Sequence, residues 1–185
     1  IPLAKLYPNE KSLIVCTAPS KTFNLACNQL SNIHIPDKEL RKKWGEGFRG
    51  GFPNPLSIEA CKAAYNECEP WLDQLKVYLD GNFKLLADRL HSELPQAVFQ
   101  IAEGTYLAWI YFSKLGFDDK ELKRRITRAG VFVEYANEFV ADGEHHIRVN
   151  LSCPRKVLNE AITRIIKSLT SNYVHPQFEG QLQVN

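Results

Sequence analysis

Residues 13 to 26 read LIVCTAPSKTFNLA, and this stretch constrains the chain more than any other. Leu13 to Cys16 are strand-forming, and they run directly into a polar turn that presents Lys21 at its far side. A buried strand of this kind delivers a reactive group to its C-terminal end, where ligands sit in open α/β sheets. Ser31 to Ile35 alternates like a second strand stopped by Pro36, and Asp37 is placed to cap a short helix from Lys38 to Trp44. Two strands and one short helix cannot bury both faces of a parallel sheet, so the opening belongs to a larger sheet whose other strands lie elsewhere.

Residues 1 to 12 read as a loop punctuated by Pro2 and Pro8, and Gly45 to Pro55 as a connection between lobes. Beyond it Ile58, Cys61, Tyr65, Cys68, Leu72, Leu75 and Leu79 recur at alternating spacings of three and four, a helical stripe that Ser57 could cap. Pro70 deletes a backbone hydrogen bond and clashes with the preceding turn, which predicts a kink or break near Glu69. Asn82 is expected to separate this helix from a second one, Phe83 to Glu93. Strands are then predicted at Ala97 to Ile101 and Thr105 to Phe112, the latter apolar on both faces and central, with a tight turn at Gly104. Asp118 caps a helix that buries Leu122 and Ile126 and ends at Gly130, in a pattern close to a capping box. Val131 to Tyr135 is a strand and 136 to 145 a loop. His146 to Cys153 alternates strictly, with Ile147, Val149, Leu151 and Cys153 on one face and His146, Arg148, Asn150 and Ser152 on the other. Pro154 opens a final helix that buries Leu158, Ala161 or Ile162, Ile165 and Leu169.

Balanced charge, with 23 Lys and Arg against 21 Asp and Glu, argues against nucleic acid or an anionic membrane as partner. The clusters Arg41 to Lys43 and Lys123 to Arg125 sit beside acids and read as solvated faces. No apolar run approaches the ~20 residues of a membrane span, and no secretory signal opens the chain, so the expected location is the cytoplasm. The five cysteines contain no C-x-x-C pair and are expected to be buried free thiols. No metal site is expected, since His145 and His146 adjoin and should point to opposite faces.

TAPSKTFNLA resembles the cofactor-lysine segment of pyridoxal-phosphate (PLP) enzymes of fold type I, in the class I/II aminotransferase superfamily, on its bacterial cystathionine β-lyase or cysteine C–S lyase branch. HHIRVNLSCPR is similar to the stretch whose arginine holds the substrate α-carboxylate. NPLSIEACKAAYNECEPWLDQLKVYLDGN and EGTYLAWIYF resemble the interdomain helix and the small-domain hairpin. The resemblance implies an α/β remnant of the large cofactor domain at 1–53, an α+β small domain at 54–170, and a tail at 171–185. It implies that Lys21 holds PLP covalently and acts as the catalytic base, that Ser20 binds the cofactor phosphate, and that Arg148 binds an amino-acid substrate. The implied reaction is C–S β-elimination on cystathionine or a related L-cysteine thioether, with transamination or a truncated, non-catalytic domain as alternatives. Relatives of this kind are homodimers of roughly twice this length, so a further N-terminal half is expected, without which the chain should bind PLP weakly and turn over little. Cys27 and Cys68 stand where the family usually has glycine, Pro70 where it prefers a helix former, and Tyr111 and Ser113 where charged residues are common. A Cβ at position 27 is expected to crowd the cofactor turn. In the tail, His175 to Glu179 (HPQFE) matches the core of streptavidin-binding tags and carries no functional reading.

Overall fold

A computed structural model describes residues 3–48 and 50–177. Ile1, Pro2, Arg49 and residues 178–185 lie outside the described residues, and with them the ends of the opening loop and of the HPQFE match. The chain divides into two compact units, Ile1–Leu75 and Lys76–Asn185.

The first unit opens with a short helix, α1 (Leu3–Leu6), within the stretch expected to be loop. Strands β1 (Val15–Thr17) and β2 (Asn32–His34) pair antiparallel, with Cys16 opposite Ile33. The strand is less buried than expected: Leu13 is buried at its start, but Val15 is half-buried and Cys16 and Thr17 are exposed. A strand is buried by the layers packed on it, and β1 pairs here with one strand only. Helix α2 (Lys38–Gly47) starts where Asp37 accepts a hydrogen bond from the Leu40 amide at 2.8 Å. Helix α3 (Pro55–Glu67) is capped by Asn54 rather than Ser57. Asn54 accepts from the Leu56 amide at 2.9 Å, Pro55 supplies the pre-set first turn, and Ser57 is buried inside that turn. The chain breaks at Cys68 and resumes as α4 (Glu69–Glu93), with Pro70 in the first turn where its missing N–H costs nothing.

No second break occurs. Asn82 lies within α4, wholly buried, and donates to the carbonyls of Leu151 at 2.8 Å and Cys153 at 3.2 Å. The local preference of asparagine for turns loses to partners that only the fold supplies.

The second unit is a four-stranded antiparallel sheet in the order β3-β4-β6-β5, formed by Val98–Phe99, Leu107–Tyr111, His146–Asn150 and Glu134–Tyr135 respectively. The strands at 97–101 and 131–135 are thus shorter than the alternation suggests. Helices α5 (Asp119–Arg128) and α6 (Arg155–Thr170) pack with α4 on one face. Ile110 and Ile147 face each other in register and are wholly buried, surrounded by Leu86, Phe112, Ile126 and Ile162. Trp109, on the opposite face of β4, is 39 % exposed, so only one face of this central strand is sealed in the core.

Asp118 caps α5 by accepting from the Glu121 amide at 2.7 Å. The capping box is half-made, because the Glu121 carboxylate turns instead to Arg124 and Arg125. In the β3–β4 connection the left-handed residue is Thr105, φ 71°, rather than Gly104. Pro154 precedes the first turn of α6 as its cap residue. Among the described residues no helix is long and apolar enough to cross a membrane.

Candidate active site

The turn after β1 is built by backbone bonds across its polar residues. The Phe23 amide donates to the Pro19 carbonyl at 2.9 Å, and the Leu25 amide to the Ser20 carbonyl at 3.0 Å. Asn24 takes the left-handed conformation at φ 55°, which asparagine tolerates better than most residues. Buried Pro19 and the Phe23 ring anchor the turn, the ring meeting Tyr65 edge-on at 5.8 Å and stacking on Trp71 at 6.0 Å. Lys21 is left exposed and Ser20 half-buried. Among the described residues neither the Lys21 amine nor the Ser20 hydroxyl has a hydrogen bond or ion pair. An uncommitted amine suits an aldehyde, and an uncommitted neighbouring hydroxyl suits a phosphate oxygen. Cys27 sits exposed in a single turn of 3-10 helix, Ala26–Asn28, so crowding by its side chain is not seen.

Arg148 occupies the middle of β6, with Trp109 opposite it on β4 and Glu134 opposite it on β5. Its Nε and Nη2 donate to one oxygen, Oε2 of Glu134, at 2.7 and 2.6 Å. The Phe139 ring lies under the guanidinium, with 4.0 Å between the guanidinium carbon and the ring centre. Alternation along β6 placed Arg148 on the polar face, but Glu134 and Phe139 were not singled out from the sequence. The register that sets Glu134 against Arg148 joins residues 14 apart, and a local pattern carries no trace of it. Phe139 lies in what reads as loop.

The two histidines sit beside this face without forming a ligand set. His145 has φ 60°, held by its amide donating to Asp119 Oδ1 at 2.7 Å. Its Nδ1 lies 3.8 Å from the same oxygen. The His146 ring stacks on Tyr111 at 4.4 Å. Among the described residues no group of three or more His, Cys, Asp or Glu could hold a metal ion. The cysteines are free, but only Cys61 is buried; Cys16 and Cys27 are exposed and the other two half-buried. The expectation of uniformly buried thiols fails at β1 and the turn because nothing in the described unit covers them.

No family model matches the chain. It is 35% identical over 162 residues to cystathionine beta-lyase PatB of Bacillus subtilis, covering 85% of this chain and 42% of that protein. It superposes on the PLP-bound C–S lyase of Staphylococcus hominis with a TM-score of 0.87 and 41% identity, over 93% of this chain and 46% of that one. Cystalysin of Treponema denticola, crystallised with pyridoxal 5'-phosphate, gives a TM-score of 0.81 at 34% identity, over 86% of this chain and 42% of that one. The chain thus spans less than half the length of the relatives it matches. With the turn after β1 and the antiparallel small-domain sheet both in place, the chain belongs to the fold-type-I PLP-dependent enzyme superfamily, in the branch of bacterial C–S lyases and cystathionine β-lyases.

Proposed function

We propose that this chain is part of a PLP-dependent enzyme acting on amino acids, and that its reaction is C–S β-elimination on an L-cysteine thioether such as cystathionine. Kinship with C–S lyases supports the reaction class, and the uncommitted amine of Lys21 beside the uncommitted hydroxyl of Ser20 carries the reading of this chain's own site.

In this reading Lys21 holds the cofactor through its amine, and Ser20 donates a hydrogen bond to the cofactor phosphate. PLP, when bound, supplies a sink for the electron pair left at Cα. Lys21 Nζ, freed when the substrate amine takes its place, removes the Cα proton and holds it. Arg148 fixes the substrate α-carboxylate, a task suited to the planar fork of a guanidinium. The Cβ–S bond then breaks with its electron pair on sulfur, which takes up a proton and leaves as thiol, and the released three-carbon enamine is hydrolysed by water to pyruvate and ammonia. Transamination shares Lys21 and Arg148 up to proton removal and differs in returning a proton instead of expelling sulfur.

The remaining donors to the cofactor belong, in this proposal, to residues outside the present sequence. The complete enzyme is proposed to be a cytoplasmic homodimer. The test is to add PLP, reduce with borohydride and map the mass increment. Modification concentrated on the peptide bearing Lys21 is expected, whereas labels scattered over exposed lysines would sink the assignment. Pyruvate release from cystathionine is expected only when the rest of the enzyme is supplied.

A further inference from the structure

Arg148 is the residue proposed to receive a carboxylate, yet in the folded chain its guanidinium already has one. A single oxygen of Glu134 takes both Nε and Nη2, at 2.7 and 2.6 Å, and so occupies the side-on edge through which arginine grips carboxylates in two-point fashion. Phe139 covers a face of the same group at 4.0 Å. The two partners are not equally held. The Arg148 side chain is 21% exposed and that of Glu134 50%. An ion pair this open to water contributes little, and its exposed member turns away into solvent at low cost. A second carboxylate arriving at Arg148 meets like-charge repulsion from Glu134 for as long as Glu134 stays.

We infer that Glu134 is a resident carboxylate that fills the Arg148 fork in the absence of ligand and must be displaced by any carboxylate ligand that takes its place. The inference rests on the reading of Arg148 as a carboxylate site. It makes Glu134 a positioning residue: it keeps the guanidinium in the plane a ligand needs, and it sets the affinity by competing for the same hydrogens. It also makes selective demands. A ligand offering a weaker acceptor than a carboxylate repays the loss of Glu134 less fully, so amides and esters of the same amino acid are disfavoured slightly beyond the loss of their own charge.

The experiment uses the 15N-labelled chain, with acetate as probe against chloride at constant ionic strength. The Nε–H resonance of Arg148 is identified by its loss in Arg148→Lys and followed in the parent chain, in Glu134→Ala and Glu134→Gln, and in Asp80→Asn as a control for net charge. Acetate is expected to bind about two- to five-fold more tightly to Glu134→Ala than to the parent, with Glu134→Gln between them and Asp80→Asn unchanged. Exchange of the Nε proton with water should be faster in Glu134→Ala without acetate and slow again when acetate is present. Equal or weaker acetate binding in Glu134→Ala, with the Arg148 signal still responding, overturns the competition and leaves Arg148 as a carboxylate site. An Arg148 signal that ignores acetate in the parent and in both Glu134 variants overturns the reading of Arg148 itself. Glu134→Gln keeps the shape of the side chain and preserves the test if Glu134→Ala unfolds.

Discussion

Asn82, inside α4, donates to the backbone carbonyl of Leu151 at 2.8 Å, across 69 residues of sequence. The same side chain accepts from Arg155 Nε at 3.1 Å, and Arg155 in turn lies over the Tyr78 ring and donates its amide to the Tyr78 hydroxyl at 2.7 Å. This polar hub ties α4 to the end of β6 and the start of α6. Removing it strands the buried Leu151 carbonyl and takes a donor from the part-buried Cys153 carbonyl. Asn82→Ala is expected to lower unfolding stability by about 2–3 kcal/mol, read by urea denaturation. Asn82→Asp, which cannot donate, should cost at least as much; a loss below about 0.5 kcal/mol in both variants would contradict the hub.

Glu121 accepts from Arg124 at 2.6 Å and from Arg125 at 2.7 Å. These bonds, that of Arg124 foremost, lower its carboxyl pKa to about 2. The folded value lies below that of an unfolded glutamate, so the contribution to stability is present above the ordinary glutamate range and lost as pH falls toward about 2. Carboxyl NMR should show Glu121 titrating well below the ordinary glutamate range, Arg124→Gln should move it upward, and added salt should weaken the effect. An ordinary midpoint in the parent chain would contradict the pairing.

Thiol reactivity should follow exposure. Cys16 and Cys27 are expected to alkylate first at neutral pH, and buried Cys61 last. Burial pushes the Cys153 thiol upward, so its reaction should need more alkaline solution than a free thiol does. Time-resolved mass mapping with iodoacetamide checks the order, and early modification of Cys61 would contradict it.

At the turn after β1, Lys21→Ala should erase the borohydride-fixed PLP label from its peptide. Ser20→Ala should leave the label in place and weaken PLP affinity about ten-fold, the worth of one hydrogen bond to a charged group. Absorbance titration with PLP measures the second effect, and unchanged affinity in Ser20→Ala removes that residue from the phosphate site.

Much of this could be read along the chain, and the residues that escaped reading share a cause. Asp37 and Asp118 announced their helices because a cap is a contact over three residues. Pro70 announced the break before α4 because a missing N–H acts within one turn. Strict alternation from His146 onward put Ile147, Val149 and Leu151 in the core and Arg148 on the other face. Asn82, read locally, promised a turn and delivered a buried crosslink. The choice of Asn54 over Ser57 as a cap moved the start of α3 by three residues.

What the sequence determined on its own was therefore whatever is settled within a turn or two of backbone: caps, breaks, the inward and outward sides of β6, and the segment that carries Lys21. What only the tertiary structure decided was pairing across distance, including which carbonyls Asn82 satisfies, that β1 stands half-bare, and that Glu134 meets Arg148. The physical reason is that periodicity fixes the direction in which a side chain leaves its own element, whereas its partner is chosen by the register and packing of another element.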